Sequence, residues 1–540
     1  MTTATTHEGI ATATRQVLMT LAAAQFLMTL DMSVMNVSMA TVASDIHTTI
    51  TGIQTAITLY TLVMATLMVT GGKIGTMIGR RKAFMIGGVI YACGSLTTAV
   101  APNLPVLIIG WSFLEGIGAA LIMPAIVALV ASNFAPSNRP RAYGLIASAG
   151  AVAVALGPLI GGAASTYASW RLVFFGEVVV VAVVLLLARH VADAPPEAAG
   201  RLDFVGTIMS ISGLGLAVYG VLRSSEWGWI APKPDAPSVL KLSLTFWFIV
   251  VGLIIVWLWM LWSVHLKRSG GEPLVDPAMF ANSWFTGGLV MFFFQFLLQA
   301  GVFFLIPLFL SVVLELSAID TGLRIMPLSL ALLVAAAGVP KLWPHGSPRR
   351  IVRVGILLML AGIVCLMSGI DLNASAGVIL IPMLLLGLGI GALASQLGAV
   401  TVSAVPASQS GEVGGLQNTA TNLGASLGTA LAGSVLIAVL TASLIAGIQN
   451  NPQVPASVKQ QASTELASGV PFISDTALRS EMAKAGQPES VTNAVVAENQ
   501  SARIAGLDIA LAVLSVIAVI ALFFTGSIPS AQPGEVPGVA

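Results

Sequence analysis

Gly71-Gly72-Lys73-Ile74-Gly75-Thr76-Met77-Ile78-Gly79-Arg80-Arg81-Lys82 interrupts an otherwise apolar length of chain. The runs on either side, 53–72 and 83–101, each approach the roughly 20 residues that carry a helix across a bilayer. Glycines at 72, 75 and 79 permit a tight turn held close to its neighbours. The basic trio Arg80, Arg81 and Lys82 places that turn on the cytoplasmic side. A degenerate echo follows a later pair of runs: Gly338, Lys341, Gly346, Arg349 and Arg350. Each loop falls between the second and third run of a six-run set. The spacing predicts an internal repeat of two six-helix bundles with two further helices inserted between them.

Composition agrees with a polytopic membrane protein. The chain has 540 residues, 24 basic and 23 acidic, so only 9% are charged, against about 25% in an ordinary soluble domain. Hydrophobic residues reach 56% and mean hydropathy is +0.93. That balance excludes a soluble globule and a disordered chain, and a net charge of +1 with no basic stripe argues against nucleic acid as a partner. Cys93 and Cys365 both sit inside apolar runs and read as packing residues, with no disulfide or metal role.

Fourteen candidate spans lie near 17–39, 53–72, 83–101, 105–131, 142–165, 171–190, 204–221, 243–266, 283–313, 322–340, 351–370, 376–401, 417–447 and 503–526. The runs are continuously apolar, so a β-barrel is excluded. The predicted fold class is an all-α polytopic membrane protein with 14 transmembrane helices. Its parts are a cytoplasmic N-terminal tail (1–14), an N-terminal bundle (15–190), inserted helices (204–266), a C-terminal bundle (282–526) with a long extracytoplasmic loop (448–502), and a cytoplasmic tail (527–540). The start, MTTATTHEGIATAT, lacks the basic region of a signal peptide, so the first helix is expected to be retained. Lys and Arg favour the side that holds both termini by fifteen to nine, three of the nine lying in the long loop where the rule is weak. Both termini are therefore predicted to be cytoplasmic.

Ionisable residues at membrane depth cost roughly 3 kcal/mol or more and are functional candidates. The N-terminal bundle has three: Asp31, Glu115 and Glu177. By a rise of ~1.5 Å per residue they lie ~10, ~15 and ~9 Å from the outer ends of their helices. No Lys or Arg sits at comparable depth in the first six runs, and desolvation favours the neutral acid. These three are the expected proton-coupling residues, and an unpaired anionic site also suits a cationic substrate. The structural alternatives are Asp31 bonded to Asn36 or a backbone carbonyl, Glu115 as a neutral cross-helix hydrogen-bonding group, and Glu177 facing water or paired with Arg171.

Two further stretches carry signal. Gly150-Ala-Val-Ala-Val-Ala-Leu-Gly157-Pro158-Leu-Ile-Gly161-Gly162 puts Gly157 and Gly161 one turn apart on a close-packing face, with Pro158 softening the helix. Phe292-Phe293-Phe294-Gln295-Phe296-Leu-Leu-Gln299-Ala-Gly301-Val-Phe303-Phe304 puts Gln295 and Gln299 on one face, among phenylalanines that suit a bulky amphipathic ligand. The alternative is lipid-facing rings with amides bonded to neighbouring helices. A substrate cavity is expected to involve Asn36, Trp111, Gln295, Phe296, Gln299 and Phe303.

The combination resembles a known family. Gly72–Lys82 is similar to the inner-loop motif of the major facilitator superfamily, and Gly157-Pro158-x-x-Gly161-Gly162 to the helix-5 motif of its antiporters. Leu30-Asp31-Met-Ser-Val-Met-Asn36-Val resembles the helix-1 motif of the 14-span drug/proton antiporters (the QacA/EmrB type). Trp170-Arg171-x-x-Phe174, Leu202-Asp203-Phe-x-Gly206 and Gly322-Leu-Arg324-x-Met-Pro327 fit that group too. The resemblance spans all fourteen runs. It implies a proton-coupled exporter working by alternating access, with Gly72, Gly75, Gly79, Arg80, Arg81, Gly157, Pro158, Gly161, Gly162 and Arg171 in conformational roles. Two departures stand out. The family's inner loop has an acid, part of a latch between halves, where this chain has Thr76. Its fourth helix has an arginine three residues before a glutamine, where this chain has Ser112 and Glu115.

The expected function is export of amphipathic, cationic compounds in exchange for protons, a drug-resistance role. The alternative is export of an endogenous lipid or metabolite. Beyond substrate and protons, the expected partners are membrane lipids. The protein is expected to be a monomer in a bacterial-type inner (cell) membrane, driven by the proton gradient, with no cofactor and no metal. ATP drive is disfavoured because Lys73 is followed by Ile74, so no P-loop exists. An enzyme is disfavoured because His7, His47, His190, His265 and His345 all map to loops or helix ends.

Overall fold

The computed structural model describes residues 2–193, 202–234, 236–371, 376–465, 470 and 472–532. The side chains of residues 2–14 and of Pro158 lie outside the described set, as do Arg201 and the tail from 533. Among the described residues fourteen long helices account for most of the chain. They are α1 (Thr2–Asp45), α2 (Ile50–Ile78), α3 (Arg80–Ala99), α4 (Leu104–Asn133), α5 (Arg139–Tyr167), α6 (Arg171–Ala188) and α7 (Phe204–Trp227). Then come α8 (Leu244–Arg268), α9 (Ser283–Leu308), α10 (Ala318–Leu342), α11 (Pro348–Gly369), α12 (Leu380–Ser403), α13 (Ser410–Asn450) and α14 (Glu489–Phe524). Thirteen of them are long and apolar enough to cross a membrane. The other, α3, has 20 residues and packs between α4 and α6; its basic start and its Ser95, Thr97 and Thr98 lower its hydropathy.

Helix starts are set by local chemistry. Asn103 accepts from the Val106 N–H at 3.1 Å at the head of α4, and Ser317 from the Asp320 N–H at 3.1 Å at the head of α10. Asp203 accepts from the Gly206 N–H at 2.8 Å to open α7, and also from the Trp262 indole at 3.1 Å and the Leu274 N–H at 3.3 Å. One carboxylate thus ties α7, α8 and the linker beyond α8 together. Gly79 takes φ +99° between α2 and α3, a conformation that excludes most other residues.

The same pairing pattern occurs twice. In the first half α1 packs along α5, α4 along α2 and α3, and α3 against α6. In the second α9 packs along α13, α12 along α10 and α11, and α11 against α14. One apolar core lies almost wholly in the second half; the other fills the first half and continues across into α9, α12 and α13 through Phe285, Ala399, Val402, Val413 and Leu416. Between the halves α13 crosses α2 and α4, while α10 and α12 cross α5. The α7–α8 hairpin packs on itself and leans on α2 and α13.

The long loop is shorter than 448–502. Helix α13 runs on to Asn450, α14 begins at Glu489, and two short helices, Ala456–Glu465 and Asp475–Lys484, lie between. Arg503 of α14 is buried; it pairs with Asp475 and donates to the Ile473 carbonyl at 3.0 Å, while Glu315 accepts from Thr476 Oγ1 at 2.7 Å. The loop is therefore pinned over the end of the second half.

Candidate transport site

The first feature is a carboxylate cluster inside the first half. Asp31 of α1, Glu115 of α4 and Glu177 of α6 are all buried, and one oxygen from each lies within 4.8 Å of the others. Glycines on α3 and α4 make the approach possible. A Cβ on Gly94 would meet Glu115 Cγ at 2.6 Å and the Gly110 carbonyl at 2.7 Å. Helix α4 widens to π geometry over Ile108–Glu115, a local insertion that often marks functional sites.

Each acid has one partnered oxygen. The Trp111 indole donates to Asp31 Oδ1 at 2.8 Å, Thr98 Oγ1 to Glu115 Oε1 at 3.1 Å, and Ser95 Oγ to Glu177 Oε2 at 3.0 Å. Among the described residues Asp31 Oδ2, Glu115 Oε2 and Glu177 Oε1 have no hydrogen-bond partner, nor do the buried hydroxyls of Tyr60 and Tyr91. This is the grouping of acidic side chains among the described residues that could hold an ion. Ser112, at the family's arginine position, donates to the Ala56 carbonyl at 2.8 Å and joins α4 to α2.

The second feature is a central cavity of ≈ 200 Å³ between the halves. Helices α1, α4 and α5 wall one side and α9, α10, α12 and α13 the other. Gln295, Phe296 and Gln299 line it, joined by Gln25, Gln417 and Asn418. Three other expected lining residues do not. Trp111 turns into the first bundle, stacks on Tyr60 at 4.9 Å and serves Asp31. Asn36 is exposed and donates to the Met32 carbonyl of its own helix at 2.9 Å. Phe303 packs half-buried against the second core. An all-apolar helix does not show which face turns inward, and the π turn shifts Trp111 further. Nor do the three carboxylates line the cavity, so the anionic site that motivated a cationic substrate is separate from it.

The third feature is a set of contacts between halves at the basic end. Lys73 Nζ lies 2.8 Å from Glu412 Oε1, with both side chains nearly buried. The Asp276 N–H donates to Glu412 Oε2 at 3.3 Å. Arg80 donates to the Ala407 and Ser408 carbonyls, each at 2.8 Å. A Cβ on Gly72 would run into the Gly411 carbonyl, so α2 and α13 touch backbone to backbone. Thr76 donates to its own helix, to the Lys73 carbonyl at 2.7 Å. Among the described residues Thr76 thus makes no hydrogen bond across the halves, where the resembled motif has an acid; the ion pair between halves is Lys73 with Glu412.

The other motif residues find ordinary partners. Asp193 accepts from the Arg80 and Arg81 N–H groups at 3.1 and 3.2 Å and caps α3. Arg81 Nη1 donates to the Arg189 carbonyl at 3.1 Å. Gly75 has only Ala83 nearby. Gly157 sits against Ser33 and Gly161 against Val34 of α1, while Gly162 faces open space. Arg171 pairs with Asp45 and stacks on Trp170 at 4.5 Å, so Glu177 is not its partner.

Sequence reasoning missed Tyr60, Tyr91, Glu412, Asp193 and Gln25. The tyrosines carried a signal, as phenols inside apolar runs. Glu412 did not, because it precedes the apolar part of its helix.

Two pseudo-repeated helical halves around a cavity, with a polar latch at one end, define a membrane transporter and not an enzyme. The model of the Major Facilitator Superfamily matches residues 21–429, and the chain belongs to that family. It is 26% identical to the Multidrug resistance protein Stp of Mycobacterium tuberculosis over 422 residues, 78% of this chain and 75% of that one. It is 24% identical to the Tetracenomycin C resistance and export protein of Streptomyces glaucescens over 525 residues, 96% and 92% of the two chains. The crystal structure of the human organic anion transporter MFSD10 shares the fold with a TM-score of 0.57 at 14% identity, covering 95% of this chain and 99% of that one.

Proposed function

We propose that this protein is a proton-coupled exporter of amphipathic compounds, a drug/proton antiporter in a cell membrane with both termini cytoplasmic. The observation that carries the reading is the buried cluster of Asp31, Glu115 and Glu177 beside a cavity walled by both halves. Three full charges within 4.8 Å in a dry interior repel strongly, so the cluster must share protons. With that orientation, the Lys73–Glu412 and Arg80 contacts at the basic end support a reading in which the halves are closed on the cytoplasmic side. The names of the relatives, resistance and export proteins, support outward drug movement. No cofactor is needed, since the proton gradient supplies the drive.

The test is proton release from purified protein on adding N-phenyl-1-naphthylamine, together with gradient-driven uptake of that dye into everted vesicles. In Asp31→Asn both should collapse while the protein still inserts. Normal pH-dependent transport by that variant would remove Asp31 from the mechanism. A second reading, export of a lipid or metabolite, is favoured by an apolar cleft of ≈ 370 Å³ between α1, α5 and α6, with Glu177 in its wall. Competition by a long-chain lipid and not by the dye would decide for it.

A further inference from the structure

We propose that the central cavity takes an uncharged aromatic ligand that donates hydrogen bonds, in preference to a permanent cation. This rests on reading the cavity as the transport site. Every side chain lining it is neutral. Its polar groups are chiefly amides, and their donor sides are partly spent within the protein. Gln25 donates to Thr29 at 3.2 Å, Asn418 to the Gly414 carbonyl at 2.8 Å, and Gln417 to Thr401. The Tyr143 hydroxyl donates to the Val127 carbonyl at 2.9 Å.

What remains open is the amide pair of Gln295 and Gln299: their N–H groups donate to no described protein atom, and their oxygens are buried acceptors. Among the described residues Gln295 Oε1 and Gln299 Oε1 are buried without a partner, and Gln295 is only 2% exposed. The two lie one helical turn apart, about 6 Å along the axis. A buried acceptor left unpaired is unfavourable, and a ligand bringing an O–H or N–H to each relieves that. The phenyl rings of Phe292 and Phe296 supply the apolar walls. A permanent cation entering here would lose its hydration with no counter-charge in return. The acidic groups of the first half face one another off the cavity, and Glu412 is already engaged by Lys73. Helix α1 joins the two sites: Gln25 and Thr29 line the cavity, and Asp31 stands two residues further on.

Three matched naphthalene probes separate the possibilities, bound to the full chain in lipid nanodiscs and followed by calorimetry. They are 2,6-dihydroxynaphthalene, its dimethoxy analogue without donors, and a naphthyl trimethylammonium. The diol should bind about tenfold tighter than the dimethoxy compound, and the cation no better than the latter. Gln295→Leu should bring the diol down to the dimethoxy level and leave the dimethoxy compound unchanged. Gln295→Glu should raise the cation's affinity. If Gln295→Leu does not elute as a folded protein, Gln299→Leu should show the same fall. The proposal is overturned if the cation matches the diol in the unmodified protein, if neither leucine variant alters the diol-to-dimethoxy ratio, or if none of the three binds. Proton-driven uptake is scored separately. Diol selectivity without uptake would end the exporter reading and leave the ligand class standing; uptake of the cation alone would do the reverse.

Discussion

Glu115 is where the chain departs from its family and where proton handling can be tested one atom at a time. Its Oε1 accepts from Thr98 and its Oε2 is unpartnered beside Asp31 and Glu177. Glu115→Gln keeps an acceptor for Thr98 and removes the titration. Fold stability should change by less than about 1 kcal/mol, whereas the pH dependence of substrate-induced proton release should be lost. An unchanged pH profile would leave Glu115 as a packing group. The three acids were legible in the sequence because a carboxylate inside an apolar run stands out against its surroundings. Their grouping was not, because it depends on Gly94 meeting Gly110 and on the wide turn of α4, neither of which has a local signature. The role of Trp111 was lost for the same reason.

Helix α5 makes its prediction through one glycine. Gly157 lies against the Ser33 side chain, and Ser33 Oγ donates to the Val154 carbonyl at 3.3 Å. Gly157→Leu must push α1 and α5 apart from their close packing, and transport should fall at least tenfold with expression retained. Gly162→Leu is the matched control: nothing lies within 4 Å of its added Cβ, so activity should hold. Equal tolerance at both positions would reduce the run to a passive face. The sequence put Gly157 and Gly161 on one face, and both do meet α1; it could not show that Gly162 points away. Helix positions were legible from hydropathy, but α14 starts at Glu489, several turns inside the long loop, and α13 runs on to Asn450, less than one turn into it; polar residues conceal that helical structure.

Across the whole molecule, the proposed exporter would set the balance between its states at the basic end, where α2 and α13 meet. Removing one member of a buried pair strands the other charge, at a cost of about 3–5 kcal/mol. Glu412→Gln should therefore shift the population toward the form open at that end, read as a longer distance between spin labels on α2 and α13. Lys73→Met combined with Glu412→Leu should shift it less, because no charge is left behind. An unchanged distance distribution in Glu412→Gln would show that Arg80 and the glycine contacts suffice. Proton-dependent switching should not originate at Asp276, whose N–H donates to Glu412. Burial opposes the charge on Asp276, but donors from Lys267, the Ala278 backbone and Gln409 outweigh it and hold the carboxyl below its usual 3.8. Its contribution is thus present above that value and disappears only as pH falls below it, so Asp276→Asn should leave the pH profile of transport unchanged between about 5.5 and 8. The paired inner loops revealed the two-half plan, yet the partner of Lys73 lies 339 positions away, beyond what any local pattern reports. The separation of the acid cluster from the cavity has an evolutionary consequence on this reading. Under a new toxic compound, substitutions on α9, α12 and α13 can retune which molecules are recognised while the acids that harvest the gradient stay untouched, so resistance spectra can drift quickly without the pump losing its engine.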